Sequence, residues 1–492
     1  MTDHSGENLN GFQAERPGLR RALGPGMAIA MVVGNVIGSG IFLKPSEAAV
    51  GAGSFGLIIS AWIVGGVLCL LGALCFAELA VMLPHAGGLY IYLREAYGRP
   101  VAFLFGWTEF VFGRPASIGA LAAGTTGQIA LLAGWTEGAG LWRGMAIMLG
   151  LILVMATLNV LGVLWGGAMQ GATTLVKAGF LLLLALLPLW VMSQGEPGLQ
   201  LQNLQSVRPP AEATFSAQFA VALLAVMWAY NGWHGITPVA EEVRDPQRNI
   251  LLALFGGIGI LIFLYVSVNI AYHGVLSMDE VAEAGITLPQ VMSQKLLNPI
   301  SPTWARASIW IVSAAAMCSM LGAMNSNLLN GPRVSFAMGR DDVFFRPLGN
   351  IHPRFRTPAT AIVVQSLMSG VLILVVGLLV EWLPRLQGKN IFGILTDFVV
   401  FSGSIFYMLA VGAVIVLRRR DPDRPRPFRT PGYPFVPVLY LLAYTWFLYY
   451  VFIGKPDEAT VGVGLVLLGA PVFLAYRSWA RRHPRREPSQ HC

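Results

Sequence analysis

The chain is poorest in charge. Only 12% of its 492 residues are Asp, Glu, Lys or Arg, against about 25% in soluble domains. That shortage excludes a soluble protein and points to an integral membrane protein. Cysteine is scarce as well: Cys69, Cys75, Cys318 and Cys492 offer neither metal-ligand spacing nor a disulfide framework. The seven histidines are scattered. There is no His-Glu-x-x-His zinc pair and no Gly-x-Ser-x-Gly nucleophile elbow, which argues against a membrane-embedded enzyme. No short apolar segment with a small-residue cleavage site precedes the first long apolar run, so residues 1–25 are expected to form a cytoplasmic tail and not a signal peptide.

Apolar sequence is abundant, at 55% of the chain. About 20 apolar residues cross a bilayer, and such runs are expected near 26–45, 55–82, 101–131, 142–161, 168–192, 215–240, 249–273, 305–336, 358–381, 391–416, 434–453 and 459–478, twelve in all. With residue 1 inside, 23 Lys and Arg fall on the cytoplasmic side and 8 on the other, the asymmetry expected of a multi-pass protein of the cell (inner) membrane with both ends cytoplasmic. The net charge of +8 is then a matter of topology, and no nucleic-acid partner is expected. The stretches between spans, such as 193–214 and 277–303, are too short for a soluble domain. The proline-stiffened segment Arg418 to Gly432 reads as a cytoplasmic linker whose charge meets the membrane surface.

Two spans are interrupted. Gly38-Ser39-Gly40 lies inside the first, and Asn231-Gly232 inside the sixth. Glycine costs up to about 1 kcal/mol per helical position relative to alanine, and backbone freed at mid-membrane survives only where it lines a cavity. Broken helices five spans apart are a pointer to a transporter site built from inverted repeats.

These residues also carry a resemblance. Gly34 to Phe42, Phe76 to Leu79, Pro84 with Gly87 to Tyr90, and Arg114 to Ser117 resemble segments of the amino acid–polyamine–organocation superfamily, and within it the L-type amino acid transporter family. So do Trp228 to Trp233, Glu241 to Val243 with Pro246 and Arg248 to Ile250, Asn325 to Arg333, and Arg424 to Gly432. The resemblance implies an all-α integral membrane protein with twelve transmembrane helices: a LeuT-type 5+5 inverted repeat plus two peripheral helices. The repeats would occupy 26–192 and 215–416, the peripheral helices 434–478 and a cytoplasmic tail 479–492.

It further implies alternating access around an α-amino acid. The N–H groups of Ser39, Gly40 and Ile41, beside Gly38, suit the carboxylate, since anions are favoured at helix N-termini. Freed carbonyls of Ile37, Trp228, Ala229 and Asn231 suit the ammonium. In this family a fifth-helix lysine takes the place of a sodium ion, which assigns Lys177 that role; the bland alternative is snorkelling to the interface. Trp228 stands where many relatives have phenylalanine and reads as an aromatic gate. Asn231 replaces the aspartate of some relatives that accept cations, so neutral L-amino acids are expected.

Other polar residues in the spans are read structurally. Arg114 is expected to pair near the bundle interior, although Glu109, five residues away, is poorly spaced for a helical partner. Glu78 and Asp397 read as satisfied carboxylates, and Glu241 and Glu242 as inner-gate partners of Arg244 and Arg248. The expectation is a sodium-independent exchanger. Proton-coupled uptake through Lys177, Glu78 or Asp397 is the alternative, and an enzyme or a channel is disfavoured. Its partners are small-molecule amino acids and the lipid bilayer. No cofactor or metal is expected. The loop around Glu137 carries no cysteine, so no disulfide-linked partner subunit is expected either.

Overall fold

Glycine, serine and proline decide where the helices of this chain stop, and apolar runs decide where they continue. The structure, a computed structural model, describes residues 21, 23–135, 141–161, 163–210, 214–355, 357–382, 391–454 and 456–482. Arg16, Arg20, Glu137, Arg356, Arg385, Lys389, Lys455, Arg485, Arg486 and Cys492, together with most of both expected tails, lie outside them.

Among the described residues the architecture is all helical, with no strand. The first interrupted span is α1 (Pro25–Val36) and α2 (Gly40–Ala52), bent by 41°. It is followed by α3 (Phe55–Met82), a short α4 (Leu89–Tyr97), α5 (Arg99–Thr108), a π-turn (Glu109–Gly113) and α6 (Arg114–Leu132). Next come α7 (Leu141–Leu161), α8 (Val163–Ser193), the single turn α9 (Leu201–Leu204) and α10 (Phe215–Tyr230). The second half of the chain forms α11 (Pro246–Val275), α12 (Met278–Ala284), α13 (Leu288–Leu297), α14 (Pro302–Arg340), α15 (Ala359–Trp382), α16 (Ile391–Arg420), α17 (Phe435–Gly454) and α18 (Pro456–Arg482).

Nine of the described helices are long and apolar enough to cross a membrane, and the bent pair α1/α2 makes a tenth. The two other runs read from the sequence are broken up. In the third, α5 and α6 are joined through the π-turn. The sixth was expected to run to residue 240 but ends as helix at Tyr230, because Asn231 is extended (ψ 140°) and Gly232 takes φ +94°. That left-handed conformation favours glycine. A short 3₁₀ helix (Thr237–Glu242) follows.

Packing places both breaks centrally. α1 lies against α11, α8 and α14, while α2 lies against α10. At Gly40 the α2–α10 contact is close enough that a Cβ would lie 2.4 Å from Ala229 Cα. The start of α1 is fastened by Leu23, whose N–H donates to Glu242 O (3.0 Å) and whose carbonyl accepts from Arg244 N–H (2.9 Å).

The segment Arg418 to Gly432 is not a free linker. Glu78 on α3 accepts two hydrogen bonds from Arg418 (2.8 and 2.6 Å), one from Thr430 N–H (2.7 Å) and one from Thr430 Oγ1 (2.8 Å). Arg426 is 3% exposed, with Nη2 donating to the carbonyls of Leu417 (3.0 Å) and Asp421 (2.7 Å). The charges turn inward because acceptors that need donors await them, Glu78 hundreds of residues away and the carbonyls at the end of α16 close by.

Candidate functional site

The N–H groups at the first break have nowhere to go within the protein. α1 stops at Val36, Ile37 is extended (ψ 93°), and α2 begins at Gly40. The N–H groups of Ser39, Gly40 and Ile41 donate to no acceptor among the described residues. They stand at the N-terminus of a 13-residue helix, where the backbone dipoles favour negative charge.

The two breaks are tied directly to each other. Asn35 Nδ2 donates to Gly232 O at 2.8 Å, and a Cβ on Gly232 would lie 2.3 Å from that nitrogen. Tyr265 Oη lies 3.1 Å from the carbonyl oxygens of both Val36 and Ala229. Trp228 Nε1 donates to Ser39 Oγ at 3.4 Å, and Tyr407 Oη to Asn231 Oδ1 at 3.3 Å. One half-open cavity lies between the breaks, α6 and its π-turn, α14 and α16.

Among the expected site residues, Gly38, Ser39, Gly40, Trp228 and Asn231 line this cavity. Ile37, Ile41 and Ala229 do not, and three of the expected ammonium ligands have other work. Ile37 O accepts from Lys177 Nζ (2.8 Å) and Ser319 Oγ (3.1 Å), and Ala229 O faces Tyr265. Trp228 O accepts from Asn231 N–H at 3.0 Å. These carbonyls hold the breaks in shape, and Val36 O shares the same Tyr265 hydroxyl, which leaves Asn231 on the cavity face.

Lys177 does not snorkel. It is fully buried, and its ammonium donates to Gly34 O (2.6 Å), Ile37 O (2.8 Å) and Ser319 O (3.3 Å). A cation on α8 thus joins the broken first segment to α14. A charge in that position costs at least about 2.5–3.5 kcal/mol on insertion scales, which oriented carbonyls offset.

Glu109 and Arg114 also line the cavity, and their spacing is resolved by the π-turn. Arg114 N–H donates to Glu109 O, the i−5 bond that stacks residues five apart. The side chains follow, with Arg114 Nε donating to Glu109 Oε2 at 2.5 Å. The local signal was Pro115, which has no N–H for a bond to the preceding turn. Asn35, Asn327 and Tyr407 belong to the cavity wall too; nothing in their spacing singled them out.

The Leu23 end of the bundle is closed by ion pairs, with partners different from those expected. Glu242 pairs with Arg333 (3.1 Å) and Glu241 with Arg340 (3.6 Å), where Arg244 and Arg248 had been expected. The Arg244 side chain turns instead to Arg21 O, to which Nε donates at 3.5 Å. Asp341 accepts from Tyr90 (2.8 Å) and Arg94 (2.6 Å). Although burial opposes its charge, Asp341 and Glu95 hold the Arg94 guanidinium above its ordinary value. Near the start of α2, Lys44 is buried. It donates to Glu47 (2.6 Å) and to Thr396 Oγ1 on α16 (3.1 Å).

The sequence profile of the family described as amino acid permease matches residues 23–475. The chain belongs to the amino acid permease family. This permease is 30% identical over 464 residues to the serine/threonine exchanger SteT of Bacillus subtilis (strain 168), covering 94% of this chain and 98% of that one. It is 29% identical over 470 residues to the large neutral amino acids transporter small subunit 2 of Homo sapiens, covering 94% of this chain and 82% of that one. To the b(0,+)-type amino acid transporter 1 of Mus musculus it is 27% identical over 476 residues, covering 95% and 91%. The permease is thus a multi-pass membrane protein of the amino acid–polyamine–organocation superfamily, a transporter and not an enzyme.

Proposed function

We propose that this permease is a sodium-independent exchanger of neutral L-amino acids working by alternating access. The observation that carries the reading is the pair of breaks facing one cavity: N–H groups at Ser39 and Gly40, unpartnered among the described residues, across from Asn231. The N–H groups are fitted to the α-carboxylate; Asn231 is fitted to the ammonium. Trp228, bonded to Ser39, serves as the gate. Neutral substrates are favoured because Asn231 adds no charge and Glu109 and Arg114 cancel.

Lys177 supports sodium independence, since its ammonium already occupies a cage of three carbonyl oxygens. The relative from Bacillus subtilis is named an exchanger, which favours antiport here. In this reading the twelve spans form a LeuT-type fold: inverted repeats over 26–192 and 215–416, peripheral helices over 434–478, and both tails on the cytoplasmic side of the cell membrane. The ion pairs at the Leu23 end are then the closed inner gate.

Purified protein in liposomes tests this. Uptake of labelled neutral amino acids should be indifferent to replacing sodium with choline and strongly raised by internal amino acid. A requirement for sodium refutes the role of Lys177. A second reading, proton-coupled uptake, is favoured by one observation: the bonds of Lys177 all go to carbonyls and none to a carboxylate. Uptake into empty vesicles driven by a pH gradient alone would select it.

A further inference from the structure

The ion pair of Glu109 and Arg114 leaves part of its hydrogen-bonding capacity unused. Oε2 of Glu109 is taken by Arg114 Nε (2.5 Å), and Arg114 Nη1 donates to Asn327 Oδ1 (3.0 Å). Glu109 Oε1 and Arg114 Nη2 have no partner among the described residues, and neither atom is fully buried. Both side chains line the cavity. The π-turn brings them together, and Gly113 leaves the carboxylate its room, since a Cβ there would lie 2.7 Å from Oε1. A pair that served only to join the third segment to α14 would have no use for an open acceptor and an open donor facing the cavity.

The position of the pair says which part of a solute it meets. A Cβ on Gly38 would touch Leu121 at 3.2 Å, so Leu121 is level with the first break. Arg114 lies seven residues earlier on the same helix, about 10 Å of rise away. The pair therefore faces the end of the cavity remote from the N–H groups of Ser39 and Gly40, where a side chain and not the main chain of a bound amino acid would point.

One open acceptor beside one open donor, with no net charge, is selective. A cation is attracted by Glu109 and repelled by Arg114, and an anion the reverse. An apolar group leaves both atoms unpaired, which is costly in a closed site. A hydroxyl or a carboxamide donates and accepts at once. Resting on the reading of this cavity as the amino acid site, we propose that Glu109 and Arg114 select neutral amino acids whose side chain ends in such a group over apolar ones of similar size.

The test compares near-isosteric pairs in liposomes loaded with mixed neutral amino acids: threonine against valine, and glutamine against methionine. The polar member of at least one pair should be preferred in kcat/KM by roughly 100-fold or more, because sites built to hydrogen-bond a substrate group reject analogues that lack it. Preference for glutamine indicates that the side chain reaches the pair directly; preference for threonine alone indicates contact by a short hydroxyl. In the double variant Glu109→Leu/Arg114→Met, which leaves no lone buried charge behind, the preference should fall to within about threefold.

Gly113→Ala keeps both charges but crowds Oε1, and should lower the preference part-way; this ratio decides the matter if the double variant does not fold. The proposal is overturned if the wild type takes valine as well as threonine and methionine as well as glutamine. It is equally overturned if the double variant keeps the preference, or loses uptake of both members in equal proportion, as a merely structural pair would. A wild type that takes up no amino acid refutes the transport reading instead.

Discussion

Replacing Lys177 with methionine isolates what the buried ammonium does. Methionine fills similar space but donates nothing. Ile37 O would keep Ser319 Oγ at 3.1 Å. Gly34 O would keep no donor, because α1 ends at Val36 before an i+4 N–H can form. An orphaned buried carbonyl costs about 1–3 kcal/mol, and each bond to a charged donor contributes about 1.5–3 kcal/mol. Against these stands the penalty of burying an ammonium without a carboxylate, itself several kcal/mol, which the substitution removes. The net loss of stability is therefore expected to be modest, about 1–3 kcal/mol. The loss of exchange should be far larger, roughly 100-fold, since misplacement by about 1 Å in a preorganised site has that effect. Arginine should not restore activity: a Cβ on Gly322 would already lie 3.1 Å from Nζ, so there is no room for the guanidinium fork. Thermal unfolding in detergent, measured beside exchange in liposomes, separates the two effects. Lys177→Met exchanging within about threefold of wild type, with an unchanged melting temperature, would refute the reasoning.

Gly40→Val places its Cβ only 2.4 Å from Ala229 Cα. Overpacking of this kind costs about 1–3 kcal/mol, so exchange should be lost, and Ala229→Gly should not rescue it because the clash is with backbone; wild-type uptake would contradict the packing. Glu78→Leu should lower the melting temperature more than Glu78→Leu combined with Arg418→Met, because removing one partner of a buried pair costs about 3–5 kcal/mol. Equal losses would show that Arg418 is not its counter-charge. Glu280 caps α12 and accepts from Lys295 (2.8 Å). Burial raises its carboxyl pKa, but Lys295 and the Ser277 N–H outweigh it and hold the group below its ordinary 4.5. A group depressed in the fold adds stability above its unfolded pKa and loses it as pH falls through the folded value. Glu280→Gln should therefore cost less than about 1 kcal/mol at neutral pH, as exposed pairs do, with the gap closing below pH 4.5. A gap that persists in acid would contradict the assignment.

The breaks at Gly38–Gly40 and Asn231–Gly232 were legible in the sequence because glycine is conspicuous in an apolar run and its backbone cost is local. Lys177 was legible for the same reason, a charge where none is cheap. The ligands of the freed carbonyls were not. Ile37, Ala229 and Trp228 offer carbonyls that any nearby donor can claim, and the claimants include Ser319 and Tyr265, residues distant in sequence. The Glu109–Arg114 pair was hidden by the assumption of 3.6 residues per turn, which one proline without an N–H undermines. Arg418 to Arg429 looked like surface charge because composition carries no record of Glu78, a single carboxylate on α3. The ion-pair partners Arg333 and Arg340 escaped for a like reason: Arg244 and Arg248 were nearer in the chain, and proximity in space obeyed α14 instead.

The clasp at Glu78 has a mechanical consequence. One carboxylate receives the end of α16 through Arg418 and the chain beyond it through Thr430. These bonds make the foot of α16 stiff with respect to α3, so any large movement between them would have to break several charge-assisted contacts at once. Compliance must lie elsewhere. The bends at Ile37–Ser39 and Asn231–Gly232 have no helix to unwind, and each is pinned by single polar contacts, among them Lys177 and Ser319 on the first and Asn35 on the second. A movement beside the cavity would have to exchange those few bonds, whereas one at the foot of α16 would have to undo the whole clasp.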